Sequence, residues 1–183
     1  MSGPRLRRLP TTALDPVEIA AIRDVMTLAF GDDDEEAFTD DDWAHALGGV
    51  HVVLDVDGEI VCHAAVVERE LRMGDRPLRT GYVEAVATTP DRQGQGLGSL
   101  VMAEVSEIIR DDFELGALGT GSQGFYERFG WVTWQGPTFV RTPDGLQRTP
   151  DEDGGIMVLE TAMSPALDLR APLSCEWRPG DVW

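Results

Sequence analysis

A glycine-rich run lies between a strand-like segment and a helix-like segment of this chain. The run Gln93-Gly-Gln-Gly-Leu-Gly-Ser99 follows an alternating apolar stretch that ends at Pro90, and from Leu97 onward apolar residues recur at helical spacing. The first N–H groups of a helix have no intrahelical partner and carry partial positive charge, and glycines let such amides approach a phosphate closely. The pattern predicts a pyrophosphate-binding turn, with an ordinary glycine turn as the alternative.

The spacing of the glycines separates this run from two other nucleotide-binding motifs. A P-loop places a lysine directly after its last glycine, but the chain has no lysine, and all 15 of its basic residues are arginines. The dinucleotide fingerprint requires G-x-G-x-x-G, whereas the glycines here stand at 94, 96 and 98. Neither motif therefore explains the run.

Two spaced motifs resemble the GNAT superfamily of N-acyltransferases. The residues Gln93-x-x-Gly96-x-Gly98 are similar to its acyl-CoA signature, R/Q-x-x-G-x-G/A. Further along the chain, Tyr126-Glu-Arg-Phe-Gly130-Trp131 resembles the Y-x-x-x-G-F segment of the superfamily, with tryptophan as the aromatic residue. Two motifs in the expected order are far more specific than a single glycine-rich turn.

A closer resemblance, to the aminoglycoside 2′-N-acetyltransferases, runs from about Leu6 to Trp183. It is carried by Leu47-Gly-Gly-Val-His51, His63-Ala-Ala-Val66, Gly81-Tyr-Val-Glu84, Val86-Ala87, Gly116-Ala-Leu118, Gly130-Trp131, Gly136-Pro-Thr138, Arg148-Thr-Pro-Asp151 and the tail Trp177-Arg-Pro-Gly-Asp-Val-Trp183. The tail is absent from generic GNAT enzymes. The resemblance implies acetyl transfer from acetyl-CoA to the 2′-amine of an aminoglycoside, a role in antibiotic resistance, and a homodimer.

The periodicity of the chain predicts the elements that would position these motifs. Helices are expected at Pro16–Phe30 (N-cap Asp15), Thr39–Leu47, Leu97–Asp112 and Ser122–Phe129, and strands at Leu6–Leu9, Val50–Val56, Glu59–Met73, Arg79–Thr88, Leu115–Leu118, Trp131–Val140 and Ile156–Ala162. This order suits an α/β GNAT fold, with a central, mostly antiparallel, splayed mixed sheet flanked by helices. We expect residues 1–183 to form a single GNAT domain with a family-specific tail at 164–183.

The resemblance assigns cofactor-binding and catalytic roles residue by residue. The strand segment Val86, Ala87 and Thr88 matches the part of the superfamily's central strand that pairs with the pantetheine arm, and the Val86 N–H would point at the thioester oxygen. Backbone N–H groups of the loop would hold the pyrophosphate, at Gln93, Gly94, Gln95, Gly96, Leu97, Gly98 and Ser99. Tyr126 would protonate the departing sulfur; the alternative is a core aromatic residue between Phe125 and Phe129.

A carboxylate is expected to remove the proton from the attacking amine. Glu84 precedes Val86 by two residues, so regular alternation places both on one face of the strand, and Glu84 would act through a water molecule. The terminal carboxylate of Trp183 is the other candidate for the base. An ordinary exposed strand carboxylate is the structural alternative for Glu84.

The substrate ammonium groups are expected to meet several carboxylates. By resemblance these belong to Asp42, Glu84, Glu152, Asp181 and the C-terminus at Trp183. The family usually has aspartate where Glu152 stands, and Ala37 replaces an expected acid. The acidic loop at 32–37 is also longer than expected.

The net charge of −18 indicates which partners the chain could bind. Nucleic acids and anionic membranes need basic patches, so both are disfavoured, whereas cationic ligands would be attracted. The alternative explanation of this charge is solubility alone, which the clustering of eight carboxylates between Asp32 and Asp42 makes less complete. The two cysteines and the absence of a hydrophobic leader indicate a cytoplasmic protein. No cysteine or histidine spacing predicts a metal site; Cys62 and His63 fit buried strand positions better than a nucleophile and a ligand.

Two other functions remain open at the level of the sequence. One is a GNAT enzyme for another cationic amine, such as a polyamine, an amino sugar or a peptide. The other is a catalytically silent acyl-CoA-binding module, against which the presence of both Glu84 and Tyr126 argues. Charge does not separate these substrates, because any polycation suits an acidic surface.

Overall fold

The computed structural model of the protein describes residues 3–31 and 37–183, so residues 32–36 of the acidic loop predicted at 32–37 lie outside the described residues. The helices are Pro16–Phe30 (α1), Asp40–His45 (α2), Leu97–Asp112 (α3) and Gln123–Glu127 (α4). The strands are Arg5–Pro10 (β1), Val50–Val56 (β2), Glu59–Met73 (β3), Arg76–Thr88 (β4), Leu115–Gly119 (β5), Val132–Thr133 (β6), Thr138–Thr142 (β7), Gly145–Arg148 (β8), Ile156–Glu160 (β9) and Leu173–Glu176 (β10). None of the described helices has the length and apolarity needed to cross a membrane.

The described chain forms two compact units. Unit 1 comprises the residues up to Val67 together with Val83–Val105, and unit 2 comprises Glu68–Tyr82 and Ser106–Trp183. Strands β3 and β4 and helix α3 each contribute residues to both units. The single-domain assignment of residues 1–183 stays a prediction.

Unit 1 is built on the order β1-β2-β3-β4 with antiparallel pairing of β1 with β2 and of β2 with β3. Helix α1 begins after Asp15, whose side chain accepts hydrogen bonds from the N–H groups of Val17 and Glu18, each at 2.8 Å. The Glu18 carboxylate in turn accepts a hydrogen bond from the Asp15 N–H at 3.2 Å, which completes a capping box. The cap predicted at Asp15 is therefore confirmed, and α1 buries its apolar face in the core of unit 1.

Unit 2 follows the order β6-β9-β5-β4-β3-β10-β7-β8. Strand β4 pairs in parallel with β5 through Thr80–Tyr82, and β10 pairs in parallel with β7; the ladders β3–β10, β5–β9, β6–β9 and β7–β8 are antiparallel. The predicted mixed, mostly antiparallel sheet flanked by helices is confirmed.

The strand prediction is wrong in three places, all in unit 2. The segment Trp131–Val140, predicted as one strand, is divided between β6 and β7, because the N–H groups of Gln135 and Gly136 bond to the Leu169 carbonyl and Pro137 has no N–H. The sequence analysis also missed β8 and β10. Strand β10 lies in the proline-rich tail and is held between β3 and β7.

Candidate active site

The glycine-rich loop has the backbone conformation that its sequence predicts. Gly94 and Gly96 adopt φ of +74° and +80°, a region that glycine enters without steric cost. A Cβ atom at either glycine would meet no other atom within 4 Å, so this side of the loop is open. The first hydrogen bond of α3 runs from Leu100 N–H to the Gly96 carbonyl at 3.3 Å. The preceding N–H groups of Leu97 and Gly98 therefore have no acceptor within the helix.

The two glutamine side chains fold the loop onto its own backbone. Gln93 Nε2 donates to the Thr88 carbonyl at 3.1 Å, and Gln95 Nε2 donates to the Asp91 carbonyl at 3.2 Å. Both side chains thereby fix the path between β4 and α3. The assignment of the loop's backbone N–H groups to a phosphate stays a prediction.

The segment of β4 that carries Glu84 and Val86 is not a regular strand. The intervening Ala85 adopts φ of +50°, and in the described residues only Asp57, in the β2–β3 turn, is another non-glycine with positive φ. A non-glycine residue in this region costs about 1–2 kcal/mol, so its surroundings must hold it there. His63 Nδ1 lies 2.7 Å from the Ala85 carbonyl oxygen and supplies such a contact. The regular alternation used to place Glu84 and Val86 on one face is interrupted at this residue.

Cys62 lies next to the same segment and is fully buried. Thr88 Oγ1 donates a hydrogen bond to its sulfur at 3.1 Å. Burial raises the pKa of the Cys62 thiol, which disfavours the thiolate that a nucleophile requires. The buried strand position predicted for Cys62 is therefore confirmed, and its environment favours direct transfer over an acyl-enzyme.

Unit 2 contributes Tyr126, on the short helix α4. Its side chain is 9% exposed, and its ring packs edge-on against Phe125 with centroids 4.9 Å apart. Burial raises the pKa of the phenol, and a hydrogen bond with Thr120 partly offsets this rise. The phenol is therefore protonated at neutral pH, as a general acid must be. Tyr126 is thus a packed aromatic residue with a proton available.

The C-terminal tail is fixed by Arg69, which the sequence analysis did not single out. Arg69 is 5% exposed and its Nη2 donates to the carbonyl oxygens of Val182 at 2.8 Å and Glu176 at 3.1 Å. The guanidinium also stacks over the Tyr82 ring at 4.7 Å from its centroid. The 113 positions that separate Arg69 from Val182 leave no local signal of this contact.

Trp183 is buried within unit 2. Its side chain is 4% exposed, and its indole Nε1 donates to Thr149 Oγ1 at 2.9 Å. Its N–H bonds to Asp181 Oδ1 at 3.0 Å, and Arg178 Nη2 donates to the terminal oxygen at 3.1 Å. Trp177 is different, because its side chain is 57% exposed.

The acidic residues assigned to the substrate lie in both units. In unit 2, burial first and then the charges of Asp181 and Asp151 raise the pKa of Glu152, so these carboxylates repel one another. A bound ammonium would relieve this repulsion. In unit 1, Asp42 Oδ2 accepts from the Thr39 N–H at 2.8 Å and from the Thr39 hydroxyl at 2.7 Å. The structure therefore gives Asp42 a capping role at the start of α2, and its substrate role stays a prediction.

Each unit contains part of the predicted site. Unit 1 holds Asp42, the strand segment at 84–88 and the loop at 93–99, and unit 2 holds Tyr126, Glu152, Asp181 and Trp183. Within the described part of the chain, no group of three or more histidine, cysteine, aspartate or glutamate side chains is placed to hold a metal ion. The sequence analysis missed Ala85 and Arg69 and treated His63 only as a core residue.

Comparison with known proteins identifies the family of this chain. The sequence model of the acetyltransferase (GNAT) domain matches residues 12–133, which include the loop and the Tyr126 motif. The chain therefore belongs to the GNAT acetyltransferases. It is similar to the aminoglycoside 2′-N-acetyltransferase of Mycolicibacterium fortuitum, with 43% identity over 181 residues that cover 97% of this chain and 91% of that protein.

Solved structures show the same fold. A GNAT family acetyltransferase from Brucella melitensis, in complex with acetyl-CoA, has a TM-score of 0.61 and 20% identity, covering 93% of this chain and 94% of that one. A GCN5-related N-acetyltransferase from Kribbella flavida has a TM-score of 0.59 and 22% identity over 74% of this chain. This chain spans about a third of the length of that protein, 34%. The predicted GNAT fold is confirmed.

Proposed function

We propose that this acetyltransferase transfers an acetyl group from acetyl-CoA to the 2′-amine of an aminoglycoside. The observation that carries the proposal is the 43% identity to an aminoglycoside 2′-N-acetyltransferase over 97% of the chain. The mutually repelling carboxylates of Glu152, Asp151 and Asp181 in unit 2 support a cationic substrate.

The glycine-rich loop fits the pyrophosphate of acetyl-CoA. Left-handed Gly94 and Gly96 open the loop, and the first-turn amides of α3 carry the positive end of the helix dipole. We assign the pyrophosphate to the backbone of Gln93–Ser99 and the pantetheine arm to Val86, Ala87 and Thr88. No metal is required by this chemistry.

Direct transfer requires three functions of the chain. The amine attacks the thioester carbonyl, and the Val86 N–H stabilises the oxyanion that forms on its oxygen. When the C–S bond breaks, Tyr126 donates its phenolic proton to the leaving thiolate. The nitrogen loses its extra proton to a carboxylate, for which Glu84 acting through water and the C-terminus of Trp183 are the two candidates. One oxygen of that terminus already accepts a hydrogen bond from Arg178.

The substrate ammonium groups are assigned to Asp42, Glu84, Glu152, Asp181 and the Trp183 carboxylate. Each charge-assisted hydrogen bond of this kind contributes about 1.5–3 kcal/mol. Glu152 carries one methylene more than the aspartate usual in the family, which would shift its contact with the substrate.

The reaction is tested by release of free CoA from acetyl-CoA across a panel of amines. An aminoglycoside with a 2′-amine should be acetylated, and one with a 2′-hydroxyl should not, because it lacks the nucleophile. Faster turnover of a polyamine, amino sugar or peptide would favour the alternative substrates, and binding without turnover would favour a silent module. Parallel double-reciprocal lines or an acetylated Cys62 would contradict direct transfer in a ternary complex.

We further propose a cytoplasmic homodimer that confers antibiotic resistance. Family resemblance supports the dimer, and sedimentation equilibrium would test it by mass. Expression in a susceptible bacterium should raise the inhibitory concentration of aminoglycosides that carry a 2′-amine.

A further inference from the structure

A continuous chain of hydrogen bonds in unit 1 joins a loop amide to the strained residue of β4. The Gly48 N–H donates to Thr11 Oγ1 at 2.9 Å, and this oxygen lies 2.8 Å from His51 Nε2. His51 Nδ1 lies 2.9 Å from His63 Nε2, and His63 Nδ1 lies 2.7 Å from the carbonyl oxygen of Ala85. Both imidazoles have an exposed fraction of 0%.

The Ala85 carbonyl at one end fixes the direction of every bond between it and Thr11 when both rings are neutral. A carbonyl oxygen only accepts, so His63 Nδ1 carries a hydrogen. Burial lowers the pKa of His63 to about 3 and that of His51 to about 4, so each ring is neutral and has one N–H. His63 Nε2 therefore accepts from His51 Nδ1, and His51 Nε2 accepts from the Thr11 hydroxyl. All donors point toward Ala85.

The carbonyl that receives this chain belongs to the same peptide unit as the Val86 N–H. A trans peptide is planar, and its C=O and N–H point in opposite directions. Fixing the Ala85 carbonyl therefore fixes the direction of the Val86 N–H. A hydrogen bond to the carbonyl also polarises the peptide, which strengthens its N–H as a donor. At φ of +50° Ala85 has no intrinsic preference for its conformation, so an external contact must hold it.

We propose that His63 is a positioning residue for acetyl transfer, which orients the Ala85–Val86 peptide so that the Val86 N–H points at the thioester oxygen. His51 and Thr11 hold His63 in the tautomer that this requires. The inference rests on the proposed function, which assigns that N–H to the oxyanion. A purely structural pair of histidines would stabilise the fold without affecting the bound thioester.

The tautomers are the first test, and they require no substrate. Two-bond ¹⁵N–¹H spectra of the labelled protein at pH 7 should show both His51 and His63 as neutral rings protonated at Nδ1. A His63 ring protonated at Nε2 would leave no hydrogen for the Ala85 carbonyl and would overturn the proposal.

A matched pair of substitutions then separates positioning from packing. His63→Asn places an amide nitrogen where Nδ1 stands, whereas His63→Leu has similar bulk and no donor. We expect His63→Leu to lower kcat by about 10- to 100-fold, somewhat below the loss of an oxyanion donor, with little change in KM for acetyl-CoA. His63→Asn should recover most of this loss. Equal kcat values for the two variants would contradict a positioning role.

Val53→Ala is the control for lost stability. Val53 is fully buried and lies directly opposite His63 in the β2–β3 register, but it takes no part in the hydrogen-bond chain. It should lower the free energy of unfolding and leave kcat near that of the wild type. A fall in kcat matching that of His63→Leu would reduce the effect to packing.

Infrared spectroscopy of bound acetyl-CoA, ¹³C-labelled at the acetyl carbonyl, distinguishes failure of this inference from failure of the proposed function. In the wild type the carbonyl stretch should shift to lower frequency on binding, and the shift should shrink in His63→Leu. If the carbonyl stretch of the wild type does not shift on binding, the Val86 N–H is not an oxyanion donor, and the proposed function itself fails. If the stretch shifts equally in the wild type and in His63→Leu, the Val86 N–H remains the oxyanion donor, but the positioning role of His63 is overturned. If His63→Leu does not fold, His51→Leu provides the same comparison, because it removes the hydrogen bond that holds His63 in the tautomer protonated at Nδ1.

Discussion

The indole Nε1 of Trp183 donates to Thr149 Oγ1 at 2.9 Å, which joins the last residue of the chain to the residue that precedes the acidic turn at 150–152. The contact fixes the end of the tail within unit 2. Asp181, two residues earlier, is one of the charges that raise the pKa of Glu152. The ring of Trp183 therefore holds the terminal carboxylate in the same unit as the acidic cluster.

A short Gly/Ser tag appended after Trp183 should weaken aminoglycoside binding while leaving acetyl-CoA binding unchanged. The tag keeps the ring but removes the free carboxylate. We expect a loss of at least about tenfold, or 1.4 kcal/mol, in aminoglycoside affinity measured by calorimetry. The same tag at the N-terminus is the control. Equal aminoglycoside affinity in the two tagged proteins would reduce the tail to a packing role.

Replacing Gly96 with alanine should raise the KM for acetyl-CoA by about tenfold, equivalent to 1.4 kcal/mol, because a methyl group would stand between the loop amides and the pyrophosphate. The substitution also carries a conformational cost, since Gly96 has φ of +80°. Gly58→Ala is the matched control: Gly58 has φ of +90° in the β2–β3 turn, and a Cβ there also meets nothing within 4 Å. Both variants should lose similar stability, and only the first should lose CoA affinity. An unaltered affinity of Gly96→Ala for CoA would show that the loop does not bind the cofactor.

Tyr126→Phe should lower kcat and leave both KM values nearly unchanged. The ring and its packing against Phe125 remain, and only the proton is lost. General acids contribute about 10²–10⁴-fold, and a thiolate is a good leaving group, so we expect the lower end of that range. Tyr82→Phe, at the only other tyrosine of the sequence, is the control and should retain full kcat. A Tyr126→Phe enzyme with wild-type kcat at every pH would exclude Tyr126 as the acid.

The buried histidines predict the pH dependence of stability. The pKa values of His51 and His63 are lowered from 6.5 to about 4 and about 3, so between these values and 6.5 the unfolded state binds more protons than the folded state. The free energy of unfolding therefore rises with pH in this window. The contribution of the two histidines to the free energy of unfolding should be fully present above about pH 6.5 and should fall as the pH drops toward 4. Denaturant unfolding at successive pH values measures it. A His51→Asn/His63→Asn double variant should show a flatter profile in this window, and an unchanged slope would contradict the assignment.

The sequence predicted the elements whose signals are local. Helix α1 has its cap at Asp15, and the β2–β3 hairpin has its turn at Asp57-Gly58, so their bounds follow from neighbouring residues. The glycine-rich loop and the start of α3 were predictable for the same reason. Strand β10 was not, because its four residues become a strand only between two partners distant in sequence.

The residues of the candidate site likewise divide into those with a local sequence signal and those without one. The residue types at 84, 86, 93–99 and 126 were open to recognition by motif. The left-handed conformation of Ala85 was not, since nothing in an Ala-Val pair favours it, and the contact of its carbonyl with His63 comes from a neighbouring strand. The contact between Arg69 and Val182 likewise exists only in the folded chain.

Acetylation of the 2′-amine is best measured from the products formed with two aminoglycosides that differ only at that position. With the purified protein and acetyl-CoA, the 2′-amino compound should yield one equivalent of free CoA and a product whose NMR spectrum carries the acetyl group on the 2′-nitrogen. The 2′-hydroxy compound should yield neither. Acetylation at another nitrogen, or equal turnover of both compounds, would contradict the account.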